Sequence, residues 1–126
     1  MLNWYCIIPV KGDKLNNLIA AQLFILRLKP LLAEHKVVFD PRNKKTQKFL
    51  MEEGMNTDDV FAYLEKLEPS NYYDGPKEDH NGTSGDVMMF LYPYNNTMIY
   101  IKLKIWKDEN GDSGVVMSFH EEGKYD

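Results

Sequence analysis

Tyr100, Lys102, Lys104 and His120 fall within one stretch, "IYIKLKIWKDENGDSGVVMSFH" at residues 99–120, that otherwise reads as an apolar hairpin. Ile99, Ile101, Leu103 and Ile105 alternate with Tyr100, Lys102, Lys104 and Trp106, the period of a strand with one buried face. A tyrosine, lysines and a histidine without carboxylate or thiol companions do not make a metal site, no Ser/His/Asp spacing is legible, and no cofactor is expected. They match what metal-free RNA cleavage needs: a group that takes the 2′-hydroxyl proton, a group that protonates the leaving oxygen, and cations for the phosphorane's charge. Histidine titrates near neutrality and serves either proton role. On this reading Tyr100, Lys102 and His120 are candidate catalytic residues and Lys104 binds substrate. The plainer reading makes His120 an ordinary surface histidine.

The turn "DENGDSG" decides between the two. A two-residue Asn110-Gly111 turn pairs Glu109 with Asp112 and sets Ile101 opposite His120, so that the histidine shares the isoleucine face. A three-residue loop Glu109-Asn110-Gly111, with Gly111 left-handed in a glycine bulge, pairs Asp108 with Asp112 and sets Tyr100 opposite His120 and Lys102 opposite Ser118. A one-residue slip exchanges the faces of a whole strand. Only the second register gathers Ile101, Leu103, Met117 and Phe119 on one side, so it is preferred; it puts Val116 and Trp106 on the polar side.

These strands need a scaffold. The chain has 126 residues, 44% hydrophobic and 27% charged, within the range of one soluble globular domain. Residues 1–13 read as an N-terminal extension, 14–68 as mainly helical and 86–122 as an antiparallel sheet. Leu15, Leu18, Ile19, Gln22, Leu23 and Leu26 follow helical spacing, with Asp13 as a cap and Pro30 as a stop or kink. "KVVFD" is a short strand, and "KKTQKFLMEEG" is a second helix closed by Gly54. A third helix begins at Asn56 or Thr57, carries Asp58 and Asp59 in its first turn, presents Val60, Phe61, Leu64 and Leu67, and ends at Pro69. "SNYYDGPKEDHNGTSGD" reads as loop. Strands near Val87–Tyr92, Met98–Lys107 and Val115–Phe119 complete an α+β arrangement, N-terminal helices packed on a C-terminal antiparallel meander.

The single cysteine, Cys6, has no intrachain partner, and the opening "MLNWYCIIPV" lacks the basic start and cleavage site of a signal peptide. Both point to a reducing compartment. Arg27, Lys29 and Pro30 interrupt the run "LIAAQLFILRLKPLLA", which is too short to span a bilayer. A cytoplasmic protein without a membrane segment is therefore expected. The net charge of −4 argues against nucleic-acid binding through bulk charge. Its distribution is uneven: residues 27–48 are mainly basic, 52–86 mainly acidic.

Two blocks, "LEPSNYYDGPKEDHNGTSGDVMMFLYP" and "MIYIKLKIWKDENGDSGVVMSFHEE", together resemble the C-terminal half of MqsR-type toxins of type II toxin–antitoxin systems. That family carries an L-x-P-x-D-Y-Y-x-G-P loop, a V-Y-I-K-L-K-I strand and an S-F-H-E ending. The resemblance runs from about Lys36 to Glu122. It implies a RelE-like fold, an mRNA interferase that cleaves messenger RNA without a metal, and a cognate antitoxin protein as partner. The family's strand tyrosine falls on Tyr100, and the residue after its Ser-Phe falls on His120, where some members have lysine. A lysine and a glutamine of the best-known pattern have no counterpart, because those neighbourhoods here read Tyr73-Asp74 and Met88-Met89. His80 in "KEDHNG" is a further candidate for the site. Tyr72 and Tyr73 can stack RNA bases or pack on the sheet. Arg42, Lys44, Lys45 and Lys48 can hold phosphates or form a solvated face. The alternative is a catalytically inactive member of the same fold that binds a protein.

Overall fold

Helix α1 (Gly12–Ala33) opens the computed structural model, which describes residues 12–79 and 84–123. It runs through Pro30 and one turn beyond. Proline removes a single backbone donor there, and the Glu34 N–H still donates to the Pro30 carbonyl at 3.0 Å; so close to the helix end, one lost bond does not stop the coil. The next elements are β1 (Val37–Phe39), α2 (Lys44–Glu53) and α3 (Thr57–Glu65).

Both short helices end as their local residues dictate. The Asn43 side chain caps α2 by accepting from the Thr46 N–H, and Gly54 closes it at φ 66°, a conformation that costs glycine little. Asn56 and Asp59 form a reciprocal capping box on α3, with Asp58 and Asp59 at the end where the helix dipole favours anions.

A 3₁₀ turn at Pro69–Asn71 leads into β2 (Tyr72–Asp79), β3 (Gly85–Tyr94), β4 (Thr97–Asp108) and β5 (Gly111–Glu121). The sheet order is β1-β5-β4-β3-β2. The fold is α+β as expected, but the sheet is mixed: β1 lies parallel to β5, Val38 opposite Val115, and the other neighbours are antiparallel. Residues 72–79, expected as loop, form an edge strand. The Gly75-Pro76 pair that argued for a loop sits at one of its two register shifts, and an edge strand tolerates proline where an inner one does not. Gly75 is required there, because at φ 103° a Cβ would lie 2.8 Å from the Val87 carbonyl oxygen.

The helices pack against the face formed by Ile99, Ile101, Leu103, Ile105, Phe119 and Phe90, and the core is filled by Phe24, Leu28, Phe49, Val60 and Leu64. The face that α1 buries is not the most regular stripe in its sequence. Ala21, Phe24, Ile25, Leu28 and Leu31 are buried, whereas Leu15, Ile19, Leu23 and Leu26 are each at least half exposed. "LIAAQLFIL" is apolar nearly all round, so its period alone does not choose a rotation. In the rotation adopted the larger Phe24 and Leu28 side chains fill the sheet face, and the Arg27 guanidinium between them bonds Asp112 at 3.1 Å and Asp86 at 3.2 Å. Among the described residues no helix is long and apolar enough to cross a membrane.

Candidate functional site

The hairpin that carries the site solves the register problem in a way neither turn provides. Asp108 pairs with Gly111, which stands at φ 103°, so the loop is Glu109-Asn110. That pairing continues through Ile105 opposite Gly114 and Leu103 opposite Val116. One extra residue, Met117, then bulges out of β5, and the ladder resumes with Lys102 opposite Ser118, Ile101 opposite Phe119 and Tyr100 opposite His120. The bulge lies in the strand rather than in the turn, but it delivers the expected pairs at the polar end. It also exchanges two residues. Val116 is in the core, not on the polar face, and Met117 is on the polar side, where it shares a cleft with Tyr100 and Lys102.

A bulge leaves backbone groups without a ladder partner, and α2 supplies partners here. Asn43 Nδ2 donates to the Met117 carbonyl at 2.5 Å and to Ser118 Oγ at 2.9 Å. The Phe119 N–H donates to Thr46 Oγ1 at 2.9 Å. Asn43 therefore caps α2 and fixes β5 with one amide, its oxygen used by the helix and its nitrogen by the strand. Sequence reasoning missed this role for Asn43 and Thr46. The visible signal was an Asn directly before a helix, which announces a cap but not what its second end reaches.

Around this junction an open cavity of about 700 Å³ is lined by Tyr73, Tyr100, Lys102, His120, Arg42 and the first turn of α2. The Tyr100 and His120 rings are 5.5 Å apart, and Tyr73 stands edge-on to Tyr100 at 6.2 Å. His120 is 5% exposed, so it is not an ordinary surface histidine. Its Nδ1 lies 3.0 Å from the Glu121 carbonyl oxygen. A carbonyl only accepts, so in the neutral ring Nδ1 carries the proton and proton exchange falls to Nε2.

Positive charge collects on one side. The first turn of α2 holds Lys44 and Lys45 and no acid, the reverse of what the helix dipole favours and an arrangement suited to an anion. Arg42 beside it is held by Asp40 through two bonds, 3.0 and 3.1 Å; the guanidinium keeps the Asp40 carboxyl below its usual range, yet is itself 87% exposed. Lys77 is a cation that sequence reasoning did not find. It bonds Asp74 at 2.9 Å, which raises its pKa, and with Tyr100, Lys102 and Tyr73 it lines an adjoining cleft. Only the folding of 72–79 as a strand brings it there.

Other expected residues lie elsewhere or apart. Lys104 is on the same sheet face but buried, its Nζ 3.1 Å from Asp79 in a neighbouring cleft, so its charge is already matched. His80 lies outside the described residues, as do residues 1–11. Met88 is in the core, and Met89 is buried beside the Tyr73–Lys77 cleft; neither replaces the polar side chains of the family pattern. Among the described residues no group of three or more His, Cys, Asp or Glu is placed to hold a metal ion. The chain matches no protein-family model, no curated protein and no solved structure.

Proposed function

We propose that this chain is a cytoplasmic toxin endoribonuclease, an mRNA interferase that cuts RNA by attack of the 2′-hydroxyl on the adjacent phosphate and is neutralised by an antitoxin protein. The observation that carries the reading is the pairing of buried His120 with half-buried Tyr100 in a cavity that Lys102, Arg42, Lys44 and Lys45 also line. In this reaction His120 Nε2 takes the 2′-hydroxyl proton as the 2′-oxygen bonds phosphorus. The bond from phosphorus to the 5′-oxygen breaks, and the Tyr100 hydroxyl donates a proton to that oxygen, leaving a 2′,3′-cyclic phosphate and a 5′-hydroxyl. Lys102 and Lys77 offset the charge that develops on the equatorial oxygens. Lys77, with its proton held by Asp74, is a candidate for the work of the lysine that the family pattern has and this chain lacks.

Purified protein incubated with RNA tests the reading. Cleavage with 2′,3′-cyclic phosphate ends, reduced about 10²- to 10⁴-fold in His120→Gln, is the expected result; intact RNA over a range of pH refutes it. A second reading, a protein-binding member of the same fold without activity, rests on Met88 and Met89. It predicts a tight protein complex and no turnover.

A further inference from the structure

The sheet face that carries Tyr100 and Lys102 continues past them along β4. There Trp106, Val38, Val115 and Met117 surround an open cleft of about 680 Å³, with Lys104 and Asp79 on one side and Asp40 and Arg42 on the other. Trp106, Val38, Val115 and Met117 give the cleft an aromatic and apolar part beside its charged groups. Its charged groups cancel, since Lys104 is paired with Asp79 and Arg42 with Asp40. It thus differs from the neighbouring cavity, whose Lys44, Lys45 and Lys102 suit phosphate, and Arg42 lines both. A neutral, flat, partly polar group fits the one and its charged linkage the other, and a single strand of RNA presents that pairing at every nucleotide.

Resting on the ribonuclease reading, we infer that this cleft is a base-docking subsite: a nucleobase flanking the cleaved bond stacks on the Trp106 indole, while its phosphate stays on the cationic rim. Open sheet faces bearing aromatic side chains hold single-stranded bases in this manner. Lys102 and Trp106 are four residues apart on one strand, roughly 13 Å between their backbones, and both long side chains stand on the same sheet face and shorten that span. Gly85 belongs to the same construction. A Cβ there would meet the Ile105 carbonyl oxygen at 2.7 Å and the Trp106 Cβ at 3.0 Å, so glycine lets β3 lie close to β4 where Trp106 leaves it.

Trp106 and Trp4 are the chain's two tryptophans, so in a Trp4→Phe, His120→Gln protein the fluorescence reports Trp106 alone. Short single-stranded oligoribonucleotides should quench it with the same midpoint that fluorescence anisotropy of labelled RNA gives. Trp106→Ala should weaken binding about 5- to 100-fold, and Trp106→Phe should recover most of that. An oligonucleotide with one abasic position should show the same loss on the Trp106 protein and no further loss on Trp106→Ala. RNA that binds without quenching, or an unchanged affinity in folded Trp106→Ala, overturns the subsite. Cleavage by the His120 protein is measured in parallel. Cleavage with Trp106-independent binding removes the subsite and keeps the nuclease; Trp106-dependent binding without cleavage keeps the subsite and removes the nuclease. Failure to bind RNA overturns both.

Discussion

Tyr100 and His120 face each other across β4 and β5 with their rings 5.5 Å apart, although the pairing set by the turn, Asp108 opposite Gly111, would if continued put Tyr100 opposite Phe119. One extra residue, Met117, makes the difference. It stands out of the ladder because Asn43 bonds the Met117 carbonyl and Thr46 receives the Phe119 N–H. The candidate chemistry therefore depends on a helix cap in another element.

Asn43→Ala should accordingly act twice. Loss of the cap costs about 1–2 kcal/mol, measurable by urea denaturation, and the freed bulge should lower RNA cleavage beyond what the lost stability accounts for. Asn43→Asp keeps the cap but presents an acceptor to the Met117 carbonyl. It should therefore retain α2 and still lose activity, and wild-type turnover in that variant would separate α2 from the site.

The rotation of α1 predicts an inverted pattern for two adjacent residues. Phe24 is 3% exposed and Leu23 57%, so Phe24→Ala should cost about 3–5 kcal/mol and Leu23→Ala should stay within about 0.5 kcal/mol. Chemical denaturation of the two variants checks it. Equal losses would mean that Leu23 is covered.

Lys104 and Asp79 form a pair in which each side chain is mostly buried. Removing one partner strands a charge in a poor solvent, so Asp79→Ala should destabilise the fold by about 3 kcal/mol. The double variant Lys104→Met, Asp79→Leu should recover most of it. Thermal melts of both distinguish a structural pair from a catalytic lysine, because the double variant should keep cleaving RNA.

Asp112 carries a pH dependence. The Arg27 hydrogen bond holds its carboxyl below the ordinary 3.8. A folded-state pKa below the unfolded one adds stability above the unfolded value, and that stability is lost as pH falls through the folded pKa. Asp112→Asn should therefore be less stable than wild type at neutral pH, with the difference closing below pH 3.8. Denaturation midpoints across that range test the sign.

Lys102→Ala should weaken single-stranded RNA binding uniformly across sequences and reduce the slope of log affinity against log salt by about 0.7. A salt titration of the variant measures it. An unchanged slope would leave Lys102 outside phosphate contact.

The sequence by itself determined what local interactions control. Alternation placed Tyr100 and Lys102 on one face of β4 and the isoleucines on the other, and the Gly54 and Asn56 signals closed α2 and opened α3, because a cap or a pleat is decided within a few residues. The α+β arrangement followed from the order of those elements. Tertiary structure decided the rest. The rotation of α1 rests on which of its apolar residues the distant sheet buries, with Arg27 then reaching Asp86 and Asp112; β2 exists because β3 offers Tyr72–Asp79 an edge; and Met117 bulges where Asn43 and Thr46 meet its strand. Lys104 looked like Lys102 in sequence and differs from it only because Asp79 folds against it. These outcomes share one physical cause: a polar group's partner, unlike its strand period, is set by residues distant in sequence.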